Sequence, residues 1–344
     1  MTIRLMAVLC AGLAALPPSL LSAQDRWGAS GHQHITAGAI THLPQPLRGF
    51  FQANSATIQT AAGNEPPSSH WIDIDVYPEF FAGTFPHDWD DAVALYGQST
   101  LEANGIAPWN VETYTVNLSV LMANAQSQQD WLNLLQTAGA LAHYAEDLHN
   151  PLHLTQNYDG QLTGNDGIHS RYEIQMISRH LPGGLPIVPT PSHCVRYASI
   201  IDAVFDEIDV NYWYVDDIMA ADDAAVALDP RYRTTYYNRL WAGTGVFTQA
   251  LFQQASETVA SAWYTAWVDA GLPMPVPPPV LMGDMNCDGQ VNASDIDPFV
   301  LALIAPADYA AAWPSCDIGL ADMNSDTKRD GRDIQVFVAR LLTP

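Results

Sequence analysis

The chain contains 344 residues, of which 48% are hydrophobic, and it carries a formal net charge of −24 at pH 7. This length exceeds that of most single domains and predicts one large domain with an additional module. The acidic balance argues against a surface that binds nucleic acid through a broad basic patch. It does not exclude an enzyme for phosphate esters, because bound metal ions can invert the local electrostatic field.

The N-terminal segment, residues 1–23, has the pattern of a secretory signal peptide. Arg4 precedes an apolar run from Leu5 to Leu16, and small residues follow up to Ala23. The apolar run is too short and too interrupted by proline to span a bilayer. We therefore expect a secreted protein, extracellular or periplasmic, without a transmembrane segment.

The chain has four cysteines, and Cys10 is removed if the signal peptide is cleaved. Cys194, Cys287 and Cys316 then remain, and an odd number leaves one thiol over in an oxidising compartment. We expect Cys194 to be the unpaired thiol.

Helical periodicity dominates residues 27–271, where apolar side chains recur at spacings of three and four residues. No stretch shows the strict alternation of a strand, so the sequence predicts an all-α fold. Pro151 ends the helix that carries His143 and Asp147. The predicted helices include residues 111–126, 130–148, 168–181, 196–208 and 246–271.

Two His-x-x-x-acid pairs lie close together in the segment LAHYAEDLHNPLHLTQNYDGQLTGNDGIHSRYE. The pairs are His143 with Asp147 and His169 with Glu173, and His153 lies between them. On a helix, residues four apart share one face, so the imidazole and the carboxylate can bind one metal ion. Zinc accepts such nitrogen and oxygen ligands. One pair alone is more often a surface hydrogen bond, but two pairs with an intervening histidine predict a metal site.

Four ordered motifs extend this pattern along the chain. They read WGASGH, SSHWIDID, HYAEDLHNPLH and GIHSRYE. In this order they resemble the trinuclear zinc phosphodiesterases, whose members are bacterial zinc-dependent phospholipase C and the single-strand-specific nucleases. The resemblance implies a multi-helix catalytic domain over residues 27–271. It also implies hydrolysis of phosphoric diesters by attack of a metal-activated hydroxide on phosphorus.

The resemblance assigns a role to each matching residue. Asp147 would bridge two zinc ions and act in catalysis. The implied zinc ligands fall into three sets: His70, His143 and Asp147; His153, His169 and Glu173; and His32 with the backbone amine and carbonyl of Trp27. We therefore expect three zinc ions.

The sequence departs from the family pattern before the second motif. Members supply a further carboxylate there, which is a zinc ligand and has been assigned a base role. The segment QTAAGNEPPSSH offers Glu65, with Asn64 as a poorer donor. We therefore predict Glu65 as the second catalytic residue.

A second departure concerns the N-terminus. The natural cut of the signal peptide follows Ala23, so Trp27 would not be the first residue of the mature chain. Either a second protease trims the chain after Arg26, or the third zinc is held by His32, Asp147 and the Trp27 carbonyl.

The composition changes after the large domain. Residues 272–282, LPMPVPPPVLM, predict an extended proline-rich linker. Two acidic repeats follow, GDMNCDGQVNASD and DMNSDTKRDGRD, which match EF-hand-like calcium loops. Gly289 occupies the turn of the first loop, whereas Thr327 replaces it in the second. The predicted calcium ligands are Asp284, Asn286, Asp288, Gln290, Asn292 and Asp295, and then Asp322, Asn324, Asp326, Lys328, Asp330 and Asp333, with Gln290 and Lys328 contributing carbonyls.

The two loops together resemble a dockerin type I module over residues 283–342, because each ends in Asp rather than Glu and is paired with one helix. The resemblance implies two calcium ions. Cys287 in the first loop and Cys316 just before the second form a candidate disulfide. A module of this kind would tether the secreted enzyme to a cohesin-like partner.

Three functions remain open from the sequence. Glu173 within GIHSRYE favours the phospholipase C branch, whereas WGASGH favours the nuclease branch, so the substrate is a phospholipid or a nucleic acid. Of the two, we favour the phospholipase C-like function. The rival from another class is a non-catalytic docking or matrix protein that uses its metals structurally.

Overall fold

The computed structural model describes residues 27–64, 66, 68–190, 194–273, 281–287, 290–313, 316–324 and 326–342. The predicted signal-peptide segment, Glu65, most of the proline-rich segment, and Asp288 and Gly289 of the first predicted calcium loop lie outside these ranges. The described residues form helices and loops without any strand, which confirms the predicted all-α fold. None of the described helices is both long and apolar enough to cross a membrane, as expected.

Helices α1–α13 build the part of the chain between residues 27 and 273. They are α1 (Gly28–His42), α2 (Leu47–Ala53), α3 (Ser55–Ala62), α4 (Pro78–Phe81), α5 (Trp89–Tyr96), α6 (Gln98–Asn104), α7 (Ala107–Asn124), α8 (Gln128–Asp147), α9 (Ile168–Ser170), α10 (Ile177–Gly184), α11 (Ile200–Asn211), α12 (Tyr214–Leu228) and α13 (Thr234–Asp269). Short 3-10 turns add Ile74–Val76 and Pro151–His153, and a π-helix covers Arg171–Met176.

Helix α8 begins at a capping box and ends at the predicted metal site. The Ser127 hydroxyl accepts a hydrogen bond from Asp130 N, and the Asp130 carboxylate accepts one from Ser127 N. Apolar side chains along the helix are buried in the main core. Because the helix ends at Asp147, its last turn holds both His143 and Asp147 in the interior.

Helix α13 lies at the centre of this region and packs against α1, α7, α8 and α12. Trp263 on α13 is fully buried, and its indole Nε1 donates to Ala138 O of α8 over 3.0 Å. Burial of a large apolar side chain contributes about 1.5–3 kcal/mol. Contacts of this kind fix α1 and α8, which carry His32 and Asp147, relative to each other.

Helices α3 and α8 cross at a glycine. A Cβ added at Gly139 would lie 2.4 Å from Ala61 Cβ and 2.6 Å from Ile58 O. A larger residue would therefore push α3 away from α8, since protein interiors leave little free space. The close crossing positions Ala62, the last residue of α3, against the histidine cluster.

Helix α13 begins at Thr234, well before the predicted start. Two glycines near that predicted start lower helix propensity by about 1 kcal/mol each relative to alanine. A Cβ at Gly243 would lie 2.8 Å from Ala221 Cβ of α12, and one at Gly245 would lie 2.6 Å from Trp241 Cε2. Gly243 allows α12 to approach α13, and Gly245 leaves room for the Trp241 ring one turn earlier on the same helix. The contact with α12 is tertiary, and it outweighs the local propensity.

The helix predicted over residues 168–181 is divided into three parts. Helix α9 is followed by the π-helix Arg171–Met176 and then by α10. π-Helical turns are rare and occur frequently at functional sites. Glu173, one of the predicted ligands, lies within the π-helical turn.

The C-terminal residues 281–342 have a core of their own. They form α14 (Ile296–Ile304), α15 (Pro306–Ala312), α16 (Asp333–Leu341) and 3-10 turns at Ala293–Asp295 and Ile318–Ala321. The rings of Phe299 and Phe337 stack with centroids 3.9 Å apart and join α14 to α16. Cys287 and Cys316 form a disulfide, with Cα atoms 5.8 Å apart, and Cys194 is free.

Candidate metal centre

Histidine and carboxylate side chains form three overlapping groups within the described residues, and the ligand atoms of each group lie within 4.8 Å of one another. The groups are His32, His143 and Asp147; His70, Asp147 and His153; and His153, His169 and Glu173. Shared members join the three groups into one cluster. The cluster brings together every side chain of the predicted zinc-ligand set, and such buried groups can hold a metal ion.

Asp147 is fully buried at the centre of the cluster. Its Oδ2 lies 2.5 Å from His70 Nδ1 and 3.0 Å from His143 Nε2. Its Oδ1 faces another ring, with His32 Nε2 at 3.4 Å. The two oxygens of one carboxylate thus face different histidines, which is the arrangement that a bridging ligand requires. The ring of His143 stacks on that of His32 with centroids 4.1 Å apart, and its centroid lies 5.4 Å from that of His70. His143 therefore contacts the histidines on both sides of Asp147.

Glu173 lies at the centre of the third group, between His153 and His169. Its Oε2 lies 3.1 Å from His153 Nε2, and its Oε1 lies 3.2 Å from His169 Nε2. Asn150 Nδ2 donates a further hydrogen bond to Oε2 over 2.7 Å. Asn150 was not predicted, although it lies directly before the Pro-Leu-His element of the third motif.

Two of the histidines are oriented by backbone carbonyls. His143 Nδ1 lies 2.7 Å from Ala62 O, and His169 Nδ1 lies 3.1 Å from Tyr158 O. A proton on each Nδ1 can be donated to the carbonyl, which leaves the lone pair on Nε2 directed into the cluster. Metal-ligating histidines are held in this way in many proteins.

Glu146 orients His32 and was missed by the sequence reasoning. Its Oε2 lies 2.6 Å from His32 Nδ1, and its Oε1 accepts a hydrogen bond from Thr36 over 2.7 Å. Its backbone carbonyl accepts from Trp27 Nε1 over 3.0 Å. A carboxylate, a histidine and a metal in series are a common arrangement around bound zinc. The signal in the sequence is the second acid beside Asp147 in an otherwise apolar helix turn.

The environment keeps His32 and Asp147 in the protonation states that bind metal. Burial, assisted by the charge of His143, lowers the pKa of His32 to about 3, so its imidazole is neutral. Burial alone would raise the pKa of Asp147, but the surrounding histidines, His153 first, hold it well below its usual range. A neutral imidazole and an ionised carboxylate are the forms in which these side chains bind metal ions. Against the effect of burial, the carboxylates of Asp147 and Glu173 raise the pKa of His143 and, to about 9, that of His169, so a metal ion would displace a proton at these two rings.

Several buried atoms at the centre make no well-aligned hydrogen bond. They are His32 Nε2, His143 Nε2, Asp147 Oδ1 and Glu173 Oε1, although His143 Nε2 and Glu173 Oε1 each have a polar neighbour at 3.0–3.2 Å. A buried polar atom without a partner costs about 1–3 kcal/mol, so native proteins rarely leave several together. A metal ion fits this donor set, and nitrogen with carboxylate oxygen is a set that zinc accepts.

A buried ion pair supports the π-helix that carries Glu173. Arg171 Nη2 lies 3.1 Å from Asp222 Oδ2, and Arg171 Nε donates to Tyr236 OH over 2.9 Å. Arg171 Nη2 also donates to Asn165 O over 3.0 Å, which fixes the Gly-Asn-Asp turn before His169. These contacts give the turn a structural role.

The cluster lies beside an open cleft of about 700 Å³. Residues of the cluster that line it are His70, His153, His169 and Glu173, and other residues on its wall include Trp71, Asp73, Tyr158, Asp159 and Ser170. Burial, followed by the charge of Asp75, raises the pKa of Asp73 to about 6. Asp73 was not predicted as a site residue, although it lies in the second motif.

Two further residues of the predicted zinc site are Trp27 and Glu65. Trp27 is fully buried, and its ring packs edge-on against Phe252 with centroids 4.7 Å apart. Glu146 links Trp27 to His32, because its carbonyl accepts from Trp27 Nε1 and its carboxyl group contacts His32 Nδ1. Glu65 lies outside the described residues, so its predicted catalytic role stays a prediction.

The two predicted calcium loops have matching structures. Asp295 and Asp333, the last predicted ligands, are both fully buried. Asp295 Oδ1 accepts a hydrogen bond from Asn286 N over 3.1 Å, and Asp333 Oδ1 accepts one from Asn324 N over 3.2 Å. In both loops Oδ2 accepts from the amide three residues earlier at 2.8 Å. The repeat seen in the sequence is therefore also a repeat of hydrogen bonds.

We expect Glu146→Gln to weaken zinc binding at His32 by roughly 10–100-fold, because an amide has a single acceptor oxygen, whereas the two oxygens of Glu146 contact both His32 Nδ1 and the Thr36 hydroxyl. Zinc titration with a competing chelator measures the change. Glu102→Gln, at an exposed position on α6, serves as the control and should bind zinc like the unmodified protein. Equal zinc affinity in both variants would contradict the orienting role of Glu146.

A scan against protein-family models found no match to this chain, and a search of curated proteins found none either. The function proposed below therefore depends on the residues of the metal centre and the cleft beside it.

Proposed function

We propose that the chain is a secreted, zinc-dependent hydrolase of phosphoric diesters with a phospholipase C-like activity. The observation that supports this most strongly is the set of buried ring nitrogens and carboxylate oxygens that make no well-aligned hydrogen bond and lie beside an open cleft. Structural zinc sites are closed by their protein ligands, whereas catalytic sites keep an open position. The cleft provides room for a substrate next to His153, His169 and Glu173.

Zinc ions bound by this cluster would supply Lewis-acid activation of water and neutralise phosphate oxygens. Asp147 joins the His32 side of the cluster to the His70 side, because its Oδ1 faces His32 and its Oδ2 faces His70. Asp73 can hold or release a proton at the cleft wall near neutral pH, since its pKa is raised to about 6 by burial and by Asp75. Trp71 and Tyr158 supply apolar contact surface on the same wall.

The proposal is tested with a chelator and two substrates. The protein is assayed on phosphatidylcholine and on single-stranded DNA, before and after metal removal and after zinc is restored. We expect hydrolysis of phosphatidylcholine that is lost with the metal and regained with zinc. Cleavage of the DNA alone would assign the nuclease function instead, and no hydrolysis of either would favour the non-catalytic docking protein.

We infer that residues 283–342 form a calcium-binding docking module that tethers the enzyme to a cohesin-like partner. The matching hydrogen bonds of Asp295 and Asp333 support this inference, because each positions a carboxylate at the end of a loop rich in oxygen ligands. The disulfide between Cys287 and Cys316 crosslinks the first loop to the segment before the second.

We expect two calcium sites of unequal affinity, with the first loop tighter by roughly tenfold or more. Thr327 adopts φ 68 in the second loop, a conformation that costs a non-glycine residue about 1–3 kcal/mol. In addition, Arg332 lies 3.3 Å from Asp326 and competes for its carboxylate. Calorimetry of the full chain should show Asp295→Asn removing the tighter site and Asp333→Asn the weaker one. Two equal sites, or none, would contradict this assignment.

A further inference from the structure

An exposed aromatic surface lies where α4 contacts the junction of α11 and α12. Phe81 and Trp213 are 53% and 60% exposed, and their ring centroids are 6.3 Å apart. Both contact the half-buried ring of Tyr212, at 5.8 Å and 5.3 Å. We refer to Phe81, Tyr212 and Trp213 as the aromatic ridge. Contiguous exposed apolar groups mark interaction surfaces, whereas isolated ones do not.

The aromatic ridge is linked to the wall of the cleft through the second motif. Ile72 N donates to His153 O over 2.9 Å, so this segment lies along the histidine cluster. Asp75 then accepts a hydrogen bond from Thr155 Oγ1 over 2.7 Å. Helix α4 follows directly and carries Phe81 as its last residue. The aromatic ridge therefore lies on the continuation of the segment that lines the cleft.

The charges around the aromatic ridge are all negative. Residues 49–170 and 197–230, which include α4, α11 and all of α12, contain no Lys or Arg. Asp209, Asp216 and Asp217 are exposed on either side of Trp213. Asp75 and Asp216 lie close enough to Tyr212 that, after burial, their charges raise the pKa of its hydroxyl to about 12. Such a surface repels a polyanion or an anionic membrane and attracts cationic groups.

We propose that the aromatic ridge seats the enzyme on a zwitterionic phospholipid surface, with the cleft beside the lipid headgroups. Trp, Tyr and Phe are the side chains that prefer the boundary between headgroups and acyl chains. The quaternary ammonium groups of phosphatidylcholine point outward, where carboxylates and the face of Trp213 attract them. This inference rests on the proposed function, because it supplies the site with an aggregated lipid substrate.

The test measures vesicle binding and soluble turnover separately, with the full zinc-loaded chain. Binding is measured by flotation with phosphatidylcholine vesicles, and with vesicles in which part of the lipid is phosphatidylserine. Turnover is measured on bis(p-nitrophenyl) phosphate, which forms no surface. The variants are Phe81→Ala with Trp213→Ala, the conservative Trp213→Phe, and the control Val246→Ala, whose side chain is 89% exposed on α13.

We expect the double variant to bind phosphatidylcholine vesicles roughly tenfold or more weakly, because it loses two interfacial rings. Trp213→Phe and Val246→Ala should bind like the unmodified chain, and all variants should hydrolyse the soluble diester equally. Phosphatidylserine should weaken binding. The proposal is overturned if the unmodified chain does not bind phosphatidylcholine, if the double variant binds normally, or if phosphatidylserine strengthens binding.

Failure of the proposed function would look different, because the unmodified chain would bind vesicles without hydrolysing the soluble diester. Thermal unfolding of each variant shows whether it is folded. Should the double variant be unstable, Trp213→Ala alone provides the same comparison, since its side chain is mostly exposed. Reduced vesicle binding by the single variant supports the proposal, and unchanged binding overturns it.

Discussion

We expect Asp147→Asn to lose bound metal and nearly all hydrolytic activity together. Asp147 presents Oδ2 to His70 and His143 and Oδ1 to His32. A neutral amide therefore weakens metal binding on both sides of this residue at once. Metal ions stabilise the transition state of phosphate transfer by several kcal/mol. Each loss of about 1.4 kcal/mol slows a reaction tenfold, so activity should fall at least about a thousandfold.

The metal content of the Asp147→Asn variant is measured by mass spectrometry beside its turnover. Asp269→Asn is the matched control, because Asp269 is an exposed carboxylate paired with Arg196 on the surface. The control should keep both metal and activity. If Asp147→Asn retained its full metal content and normal turnover, the bridging role of Asp147 would be excluded.

The metal-free protein should lose stability steeply when the pH falls from about 4.5 to 3. The folded-state pKa of His32 is lowered to about 3 and that of Glu173 to about 2, and the pKa of Asp147 is also lowered. In this range the unfolded chain therefore binds more protons at all three groups. Each group lowers the free energy of unfolding by about 1.4 kcal/mol per pH unit at most.

The other titrating groups of the cluster do not reverse this trend below pH 4.5. The pKa of His143 is raised and that of His169 is raised to about 9, so both are protonated in the folded and the unfolded chain. The pKa of Glu146 is raised well above its usual value, so Glu146 opposes the trend only near pH 4.5, where this residue is about half ionised in the unfolded chain, and its effect fades toward pH 3. Urea unfolding of metal-free protein at a series of pH values measures the slope. His32→Gln should give a shallower slope than the unmodified chain, and Asp269→Asn should give the same one. A stability independent of pH in this range would refute the expectation.

Part of the fold follows from local sequence. Helix α8 forms close to the range that its apolar spacing predicts, because that spacing depends on residues within a few turns of each other. The early start of α13 and the π-helix at Glu173 were not predicted. Gly243 becomes favourable only when Ala221 of α12 lies against it, and local spacing carries no information about that contact.

The sequence by itself determined an all-α chain, a list of candidate metal ligands grouped by motif, and two acidic loop repeats. These properties depend on residue types and short spacings, which are local. Only the tertiary structure decided which oxygen of Asp147 faces which histidine, that Glu146 holds His32, and that Phe81 meets Tyr212 and Trp213 in the aromatic ridge. His32 and Glu146 are 114 residues apart. Their contact exists because α1 and α8 are brought together around α13, and no pattern along the chain encodes that distance.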